Sequence, residues 1–145
     1  LNIEQNSGAM DAMGSTLYKL KKYEESIEWF NKIINIDSSN KENPDIVDSI
    51  SNERKGKALD KLGRHEEAIE AYEEFIYFCN VSLDENPNDI IFLIQKTKAL
   101  FELNKFEDVI ESCNKILRIK SNHLGALILI SESLDKLGRH EESSQ

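Results

Sequence analysis

One nonapeptide, LDKLGRHEE, occurs twice in the chain without a change, at Leu59–Glu67 and again at Leu134–Glu142. Identity over nine residues is far beyond chance in a chain of 145 residues. A chain that contains one of its own segments twice is built from repeating units, which bury their apolar faces by stacking on their neighbours. This duplication predicts a repeat protein, and it restricts the fold more than any other feature of the sequence.

Alignment on the nonapeptide shows a frame that recurs four times with helical spacing. Each copy has a small residue, a leucine three positions later, and further frame residues at intervals of three or four. The small residues are Gly14, Gly56, Thr97 and Ser131, the leucines are Leu17, Leu59, Leu100 and Leu134, and the first three copies close with Phe30, Tyr72 and Cys113. Intervals of three and four are the period of an amphipathic helix.

Every copy breaks at the same point, shortly after its leucine. Glycine stands there as Gly63 and Gly138, and Asn104 and Lys21 stand there in the other two copies. Glycine, and to a lesser extent asparagine, tolerates the left-handed backbone that ends a helix, so we expect Lys21 to be slightly strained or the first turn to close differently. Acidic pairs follow each break, as suits the first turn of a new helix. Each unit is therefore predicted to be two antiparallel helices joined by a tight turn.

The frame resembles the tetratricopeptide repeat, a helix–turn–helix unit with the pattern W-x2-L-G-x2-Y…A-x3-F…P. The second copy matches best, through Gly56, Leu59, Ala68 and Tyr72, although the early Trp is missing and Ser38 and Ser121 replace the final Pro. The resemblance implies an all-α helical-repeat solenoid, a right-handed superhelix whose first helices line a concave side. It also implies binding of a peptide or a partner helix on that side.

We predict a single array over residues 1–145, with repeat 1 at about 7–40, repeat 2 at about 43–86, repeat 3 at about 87–122 and a partial repeat 4 at about 123–145. Residues 1–6 resemble the tail of a preceding repeat, so we expect a piece of a longer array. The second hairpin should be elongated, with one helix starting near Pro44 and the other ending before Asn86–Pro87, where a new cap and helix should begin. The extension should bury Ile46, Val47, Ile50, Cys79 and Leu83.

Composition and motifs argue against several classes of function. The net charge of −9 disfavours nucleic acid, and no apolar run is long enough to span a membrane. The two cysteines, Cys79 and Cys113, fit buried thiols in a reducing compartment, which suggests the cytoplasm. No catalytic, metal-binding or cofactor motif is present, so we expect no enzyme, metal or cofactor. His65 and His140 stand where other copies have Tyr23 and Phe106, so we expect them to pack between helices.

The most plausible function is that of a scaffold for a protein or peptide partner. The frame places the following residues on the concave side of the first helices: Tyr18, Arg54, Lys57, Ile91, Ile94, Gln95, Lys98, Phe101, Ile128 and Leu129. The apolar members predict either an open groove for an apolar segment or a face that other repeats cover. The alternative function is an architectural spacer or a self-association segment, with a homodimer formed through exposed terminal repeat faces.

One subset of the family binds chaperone tails through a carboxylate clamp of basic and amide side chains. The clamp positions correspond here to Asp11, Ser15, Arg54, Ile91 and Gln95. Only Arg54 has suitable chemistry, so chaperone-tail binding is not expected.

Overall fold

The described chain is helical throughout. A computed structural model describes residues 7–37 and 46–138, and within these ranges the regular elements are seven helices and no strand. They are α1 (Ser7–Lys19), α2 (Tyr23–Asp37), α3 (Ile46–Lys61), α4 (His65–Glu85), α5 (Ile90–Glu102), α6 (Phe106–Ile119) and α7 (Leu124–Lys136). This architecture confirms the predicted all-α class. Its contacts fall into two compact units, Leu1–Phe78 and Cys79–Gln145.

Successive helices form antiparallel hairpins, as the frame predicts. In the first unit the Ser26 hydroxyl donates to the Gly14 carbonyl at 2.8 Å, while Met10, further from the turn, clusters with Phe30 and Ile33. In the second unit Thr97 Oγ1 lies 2.6 Å from Ser112 Oγ. Contacting residues lie at similar distances from the turn, one before it and one after it, which is the pattern of an antiparallel pair.

The turns close each first helix with one repeated hydrogen-bond arrangement. The Arg64 N–H donates to the Leu59 carbonyl at 2.9 Å, and the Gly63 N–H donates to the Asp60 carbonyl at 3.0 Å. The turns at Lys21 and Asn104 repeat both bonds. This is the Schellman closure, which needs a left-handed residue. All four break positions have a positive φ, 64° at Lys21, 78° at Gly63, 60° at Asn104 and 71° at Gly138, so Lys21 takes the strained alternative rather than a different closure.

The frame residues that close the first three copies lie in the core of their hairpins. Phe30, Tyr72 and Cys113 are at most 1% exposed. Glycine stands opposite the two large rings, Phe30 and Tyr72. A Cβ on Gly14 would lie 2.7 Å from the Phe30 ring, and a Cβ on Gly56 would lie 3.0 Å from the Tyr72 ring. Thr97 takes the glycine position in the copy that has the smaller Cys113. A larger residue on the first helix thus accompanies a smaller one on the second, as close packing requires.

The second hairpin has the long helix that the sequence predicts, but the next helix starts later than expected. Helix α4 has 21 residues and ends at Glu85. Helix α5 does not begin at Asn86–Pro87, because the carboxylate of Asp89 caps it by accepting from the N–H groups of Ile91 and Phe92. The predicted start near Pro44 and the side chains of Ile46 and Val47 lie outside the described part.

The prediction for His65 is wrong. Its side chain is 71% exposed, and its Nδ1 lies 3.0 Å from Asp60 Oδ1. At the same two frame positions the other hairpins have Tyr18 with Tyr23 and Phe101 with Phe106, which form edge-to-face ring pairs with centroids 5.3 Å and 5.4 Å apart. Because Asp60 replaces the aromatic partner, His65 has no ring to pack against and instead pairs with a carboxylate in water. His140 lies outside the described residues.

Candidate functional site

Three of the residues predicted for the concave side meet in one cavity of the first unit. The cavity has a volume of about 270 Å³ and is lined by residues of α1, α2 and α3. Its lining consists of Ser15, Tyr18, Lys19, Phe30, Arg54 and Lys57. Phe30 is a core residue of the α1–α2 hairpin, whereas the others carry polar groups. The predicted residues Tyr18, Arg54 and Lys57 therefore surround a space that can admit a small polar group.

Arg54 connects α3 to α1 across this cavity. Its Nη1 donates to both carboxylate oxygens of Asp11 and to the hydroxyl of Ser15 at 3.3 Å. The two charged side chains are 40% and 30% exposed. An ion pair in contact with water is worth only about 0–1 kcal/mol. This pair therefore orients Arg54 without holding it strongly.

The remaining charges give the cavity a positive balance. Lys57 Nζ lies 2.9 Å from Glu53 Oε1, and the Lys57 side chain is 49% exposed. Lys19 makes no ion pair with any residue of the described chain. Three cations thus face two carboxylates, Asp11 and Glu53. This local positive charge contrasts with the net charge of −9 for the whole chain.

The predicted residues of the second unit differ in how much they are exposed. Ile91 is 66% exposed, Ile128 is 48% exposed, and Lys98 is also exposed. The other four predicted residues are half-buried, namely Ile94, Gln95, Phe101 and Leu129. Phe101 uses its ring to pack against Phe106. Ile91 and Ile128 are therefore the apolar members of this set that offer most surface to a partner.

Several residues near these surfaces were not predicted from the sequence. Lys19 lines the cavity although only its neighbour Tyr18 was selected. Leu124 and Leu127 on α7 are 68% and 47% exposed, more than the predicted Leu129. His123 caps α7, since its Nδ1 accepts from the Ala126 N–H at 3.0 Å. The position of that histidine just before a predicted helix was a signal available in the sequence.

A second and larger cavity lies between α3 and α4, and its character is acidic. Its volume is about 560 Å³. The lining includes the glutamates Glu67, Glu70, Glu73 and Glu74 together with Asn52, Lys55, Ala71 and Tyr77. Arg64 binds Glu67 with its guanidinium group, and this hydrogen bond lowers the pKa of Glu67.

Two negative findings concern the described residues alone. Within 7–37 and 46–138, no three His, Cys, Asp or Glu side chains cluster so that they could hold a metal ion. Over the same ranges, no helix has both the length and the apolar character that crossing a membrane requires.

Comparison with known proteins gives matches to helical-repeat proteins. A sequence profile of the tetratricopeptide repeat matches residues 8–40 and 51–80. The mitochondrial import receptor subunit TOM70 of Rattus norvegicus is 30% identical over 89 residues, which is 61% of this chain and 14% of that protein. The human protein of the same name matches to the same extent. This chain thus spans only a small part of the relatives that it matches.

Solved structures match over almost the whole chain. The TPR-like repeats of a putative kinesin light chain from Podosopora anserina superpose with a TM-score of 0.70 at 14% identity, covering 98% of this chain and 71% of that one. The first TPR of Spaghetti (RPAP3), solved with an HSP90 peptide, has a TM-score of 0.55 at 18% identity, covering 93% of this chain and 98% of that one. These matches show the fold, an all-α helical-repeat solenoid. Together with the profile match and the repeated frame, they support assignment of the chain to the tetratricopeptide-repeat family.

Proposed function

We propose that the chain is a protein-interaction module that holds a peptide segment or a partner helix on its first helices, α1, α3, α5 and α7. Helical-repeat proteins of this kind use an extended surface of stacked helices for binding, and the family is typically a non-catalytic scaffold. The observation that carries the proposal is the cavity of about 270 Å³ between α1 and α3. Its wall is mostly apolar, with the rings of Tyr18 and Phe30, and it also carries the polar groups of Ser15, Lys19, Arg54 and Lys57.

The second unit supports the same proposal with apolar surface. Ile91 and Ile128, on α5 and α7, are 66% and 48% exposed. Exposed large apolar side chains contribute to association when a partner removes them from water, at about 25 cal/mol per Å² of buried apolar area. Apolar side chains of a partner segment fit this surface of the second unit, as those of amphipathic segments do in other grooves.

A selection experiment with matched variants tests the proposal. Peptides selected from a random library on the wild-type protein should lose about tenfold or more in affinity with Arg54→Glu if they bind the first unit, or with Ile91→Glu or Ile128→Glu if they bind the second, since each places a negative charge at a site of contact. Phe101 is a poor choice for this test because it packs against Phe106. The controls are Glu73→Lys and Tyr77→Glu in the acidic cavity, which should leave affinity unchanged. Failure to select any peptide, or loss of binding only in the control variants, would overturn the proposal.

The second candidate function is self-association, which the exposed leucines of α7 favour. Leu124, Leu127 and Ile128 are all more than 45% exposed on this helix. Light scattering coupled to chromatography over a concentration series separates the two functions. A concentration-independent mass of 16.6 kDa supports binding of a different protein. A dimer that Leu124→Glu dissociates supports self-association.

A further inference from the structure

We propose that the cavity between α1 and α3 binds a phosphorylated side chain of the partner segment, and that Asp11 holds Arg54 in place until that phosphate arrives. This inference rests on the proposed function, because it names the chemical group that the partner brings to the cavity. It concerns Ser15, Tyr18, Lys19, Arg54 and Lys57, which line one space.

The number of donors around the cavity fits a phosphate better than a carboxylate. Three cationic groups and the hydroxyls of Ser15 and Tyr18 line the space, so five side chains can donate hydrogen bonds. A phosphate ester offers about −1.5 to −2 charges and three strong acceptor oxygens. A carboxylate offers one charge and two oxygens, and Asp11 and Glu53 already provide such groups. An incoming carboxylate would only replace a resident one, whereas a dianion also engages Lys19.

Arg54 has an unused edge with which it can bind an anion. Its bonds to Asp11 and Ser15 all come from Nη1. Its Nε and Nη2 donate to no group within residues 7–37 and 46–138. The guanidinium group binds phosphate bidentately through two parallel N–H donors, and such an edge remains available here. Arg54 can therefore begin to bind a phosphate through Nε and Nη2 before Asp11 releases Nη1.

The pairs that hold the cavity are exposed enough to exchange partners. Both members of the Arg54–Asp11 pair are at least 30% exposed, and Lys57 is 49% exposed. Ion pairs in contact with water contribute little to stability, so little free energy is lost when Arg54 or Lys57 leaves its carboxylate for a ligand. Repulsion between Asp11 and the phosphate remains as the main term against binding. Removal of that negative charge should accordingly strengthen binding.

Nuclear magnetic resonance titrations of the whole chain with O-phosphoserine and with acetate test the inference. At pH 7.5 phosphoserine should shift the Arg54 side-chain Nε–Hε and the Ser15 amide, and acetate should bind at least about tenfold more weakly. Arg54→Gln should weaken phosphoserine binding by about tenfold or more, the factor expected for loss of a charge-assisted hydrogen bond. Lys57→Gln should weaken it several-fold. The matched control is Lys115→Gln, because Lys115 is an exposed lysine of α6 outside the predicted binding residues and should change nothing.

Asp11→Asn provides a test that survives if Arg54→Gln fails to fold. It should tighten phosphoserine binding several-fold, which loss of structure cannot produce. Equal weakening by Lys57→Gln and Lys115→Gln would show diffuse attraction to lysines and would overturn the inference. Unchanged or weaker binding with Asp11→Asn would also overturn it.

Peptides separate this inference from the function on which it rests. If selected peptides bind at the first helices but gain nothing when one of their serines is phosphorylated, the inference fails and the proposed function stands. If phosphoserine binds as expected but no peptide is selected, the proposed function fails and an anion site remains.

Discussion

The left-handed turn at Lys21 predicts that glycine at this position stabilises the protein, and the sign of the change in stability decides whether the turn is strained. Lys21 has a φ of 64°, where the equivalent residue of the second hairpin is Gly63 with a φ of 78°. The left-handed backbone conformation costs a residue with a Cβ about 1–2 kcal/mol, and it has no such cost for glycine. Glycine loses about 0.5–1 kcal/mol more conformational entropy than alanine on folding, which offsets part of the gain. We expect Lys21→Gly to raise the free energy of unfolding by about 1 kcal/mol.

The reverse change at Gly63 should have the opposite effect. A Cβ built on Gly63 has nothing within 4 Å, so Gly63→Ala causes no clash. Its cost is only that of the backbone, and we expect a loss of about 1 kcal/mol. A matched control is Lys19→Gly, the same chemical change two residues earlier within α1, which should lower stability by up to about 1 kcal/mol.

Urea titration followed by Trp29 fluorescence measures these changes, because Trp29 packs against the cluster of Met10, Phe30 and Ile33 in the same unit. The expected gain for Lys21→Gly corresponds to a rise in melting temperature of about 4 °C. If Lys21→Gly destabilises the protein as Lys19→Gly does, then the strain assigned to this turn is wrong.

Three further predictions follow from the packing of the core. Gly14→Ala should cost about 1–3 kcal/mol through overpacking, and more than Gly56→Ala, because its Cβ would approach the opposing ring to 2.7 Å rather than 3.0 Å; equal losses in urea titrations would contradict this order. Thr97→Val should cost about 1–3 kcal/mol by leaving the Ser112 hydroxyl without its partner, and adding Ser112→Ala should recover part of that loss in a double-mutant cycle; strict additivity would refute the pairing. Burial raises the pKa of the Cys113 thiol from 9.0 to about 11, so the thiol stays protonated at pH 8 and should react with iodoacetamide only as fast as the chain opens. Because the unfolded thiol ionises first, stability should fall as pH rises from about 9 towards 11; rapid alkylation of the folded protein at pH 8 would contradict both statements.

The repeated frame predicted the hairpins because it records which residues must be buried and where the backbone must turn. Gly63 and Gly138 mark the turns directly, and the positive φ of Lys21 follows from its frame position alone. The frame did not predict the environment of His65, because that environment depends on a second position. Asp60 replaces the aromatic partner there, so the side chain remains in water. The start of α5 was also wrong, since Asn86 and Asp89 compete as caps and only the structure shows which carboxylate or amide reaches the free N–H groups.

The candidate site was predicted in part for a related reason. A frame position gives the direction of a side chain from its helix, and this was enough to select Tyr18, Arg54 and Lys57. It does not tell how far a neighbouring helix covers that side chain. Phe101 and Leu129 are half-buried whereas Ile91 and Ile128 are exposed, although all four were predicted for the same side. The pairing of Arg54 with Asp11 joins different helices, so no local pattern could reveal it.

The most direct test of the account is the footprint of a selected peptide on the amide resonances of the protein. We expect the largest shifts on the first helices, at Ser15 and Lys57 around the cavity or at Ile91 and Ile128 in the second unit. A footprint centred on Glu70, Glu74 and Tyr77 would contradict it, because it would place the partner in the acidic cavity between α3 and α4.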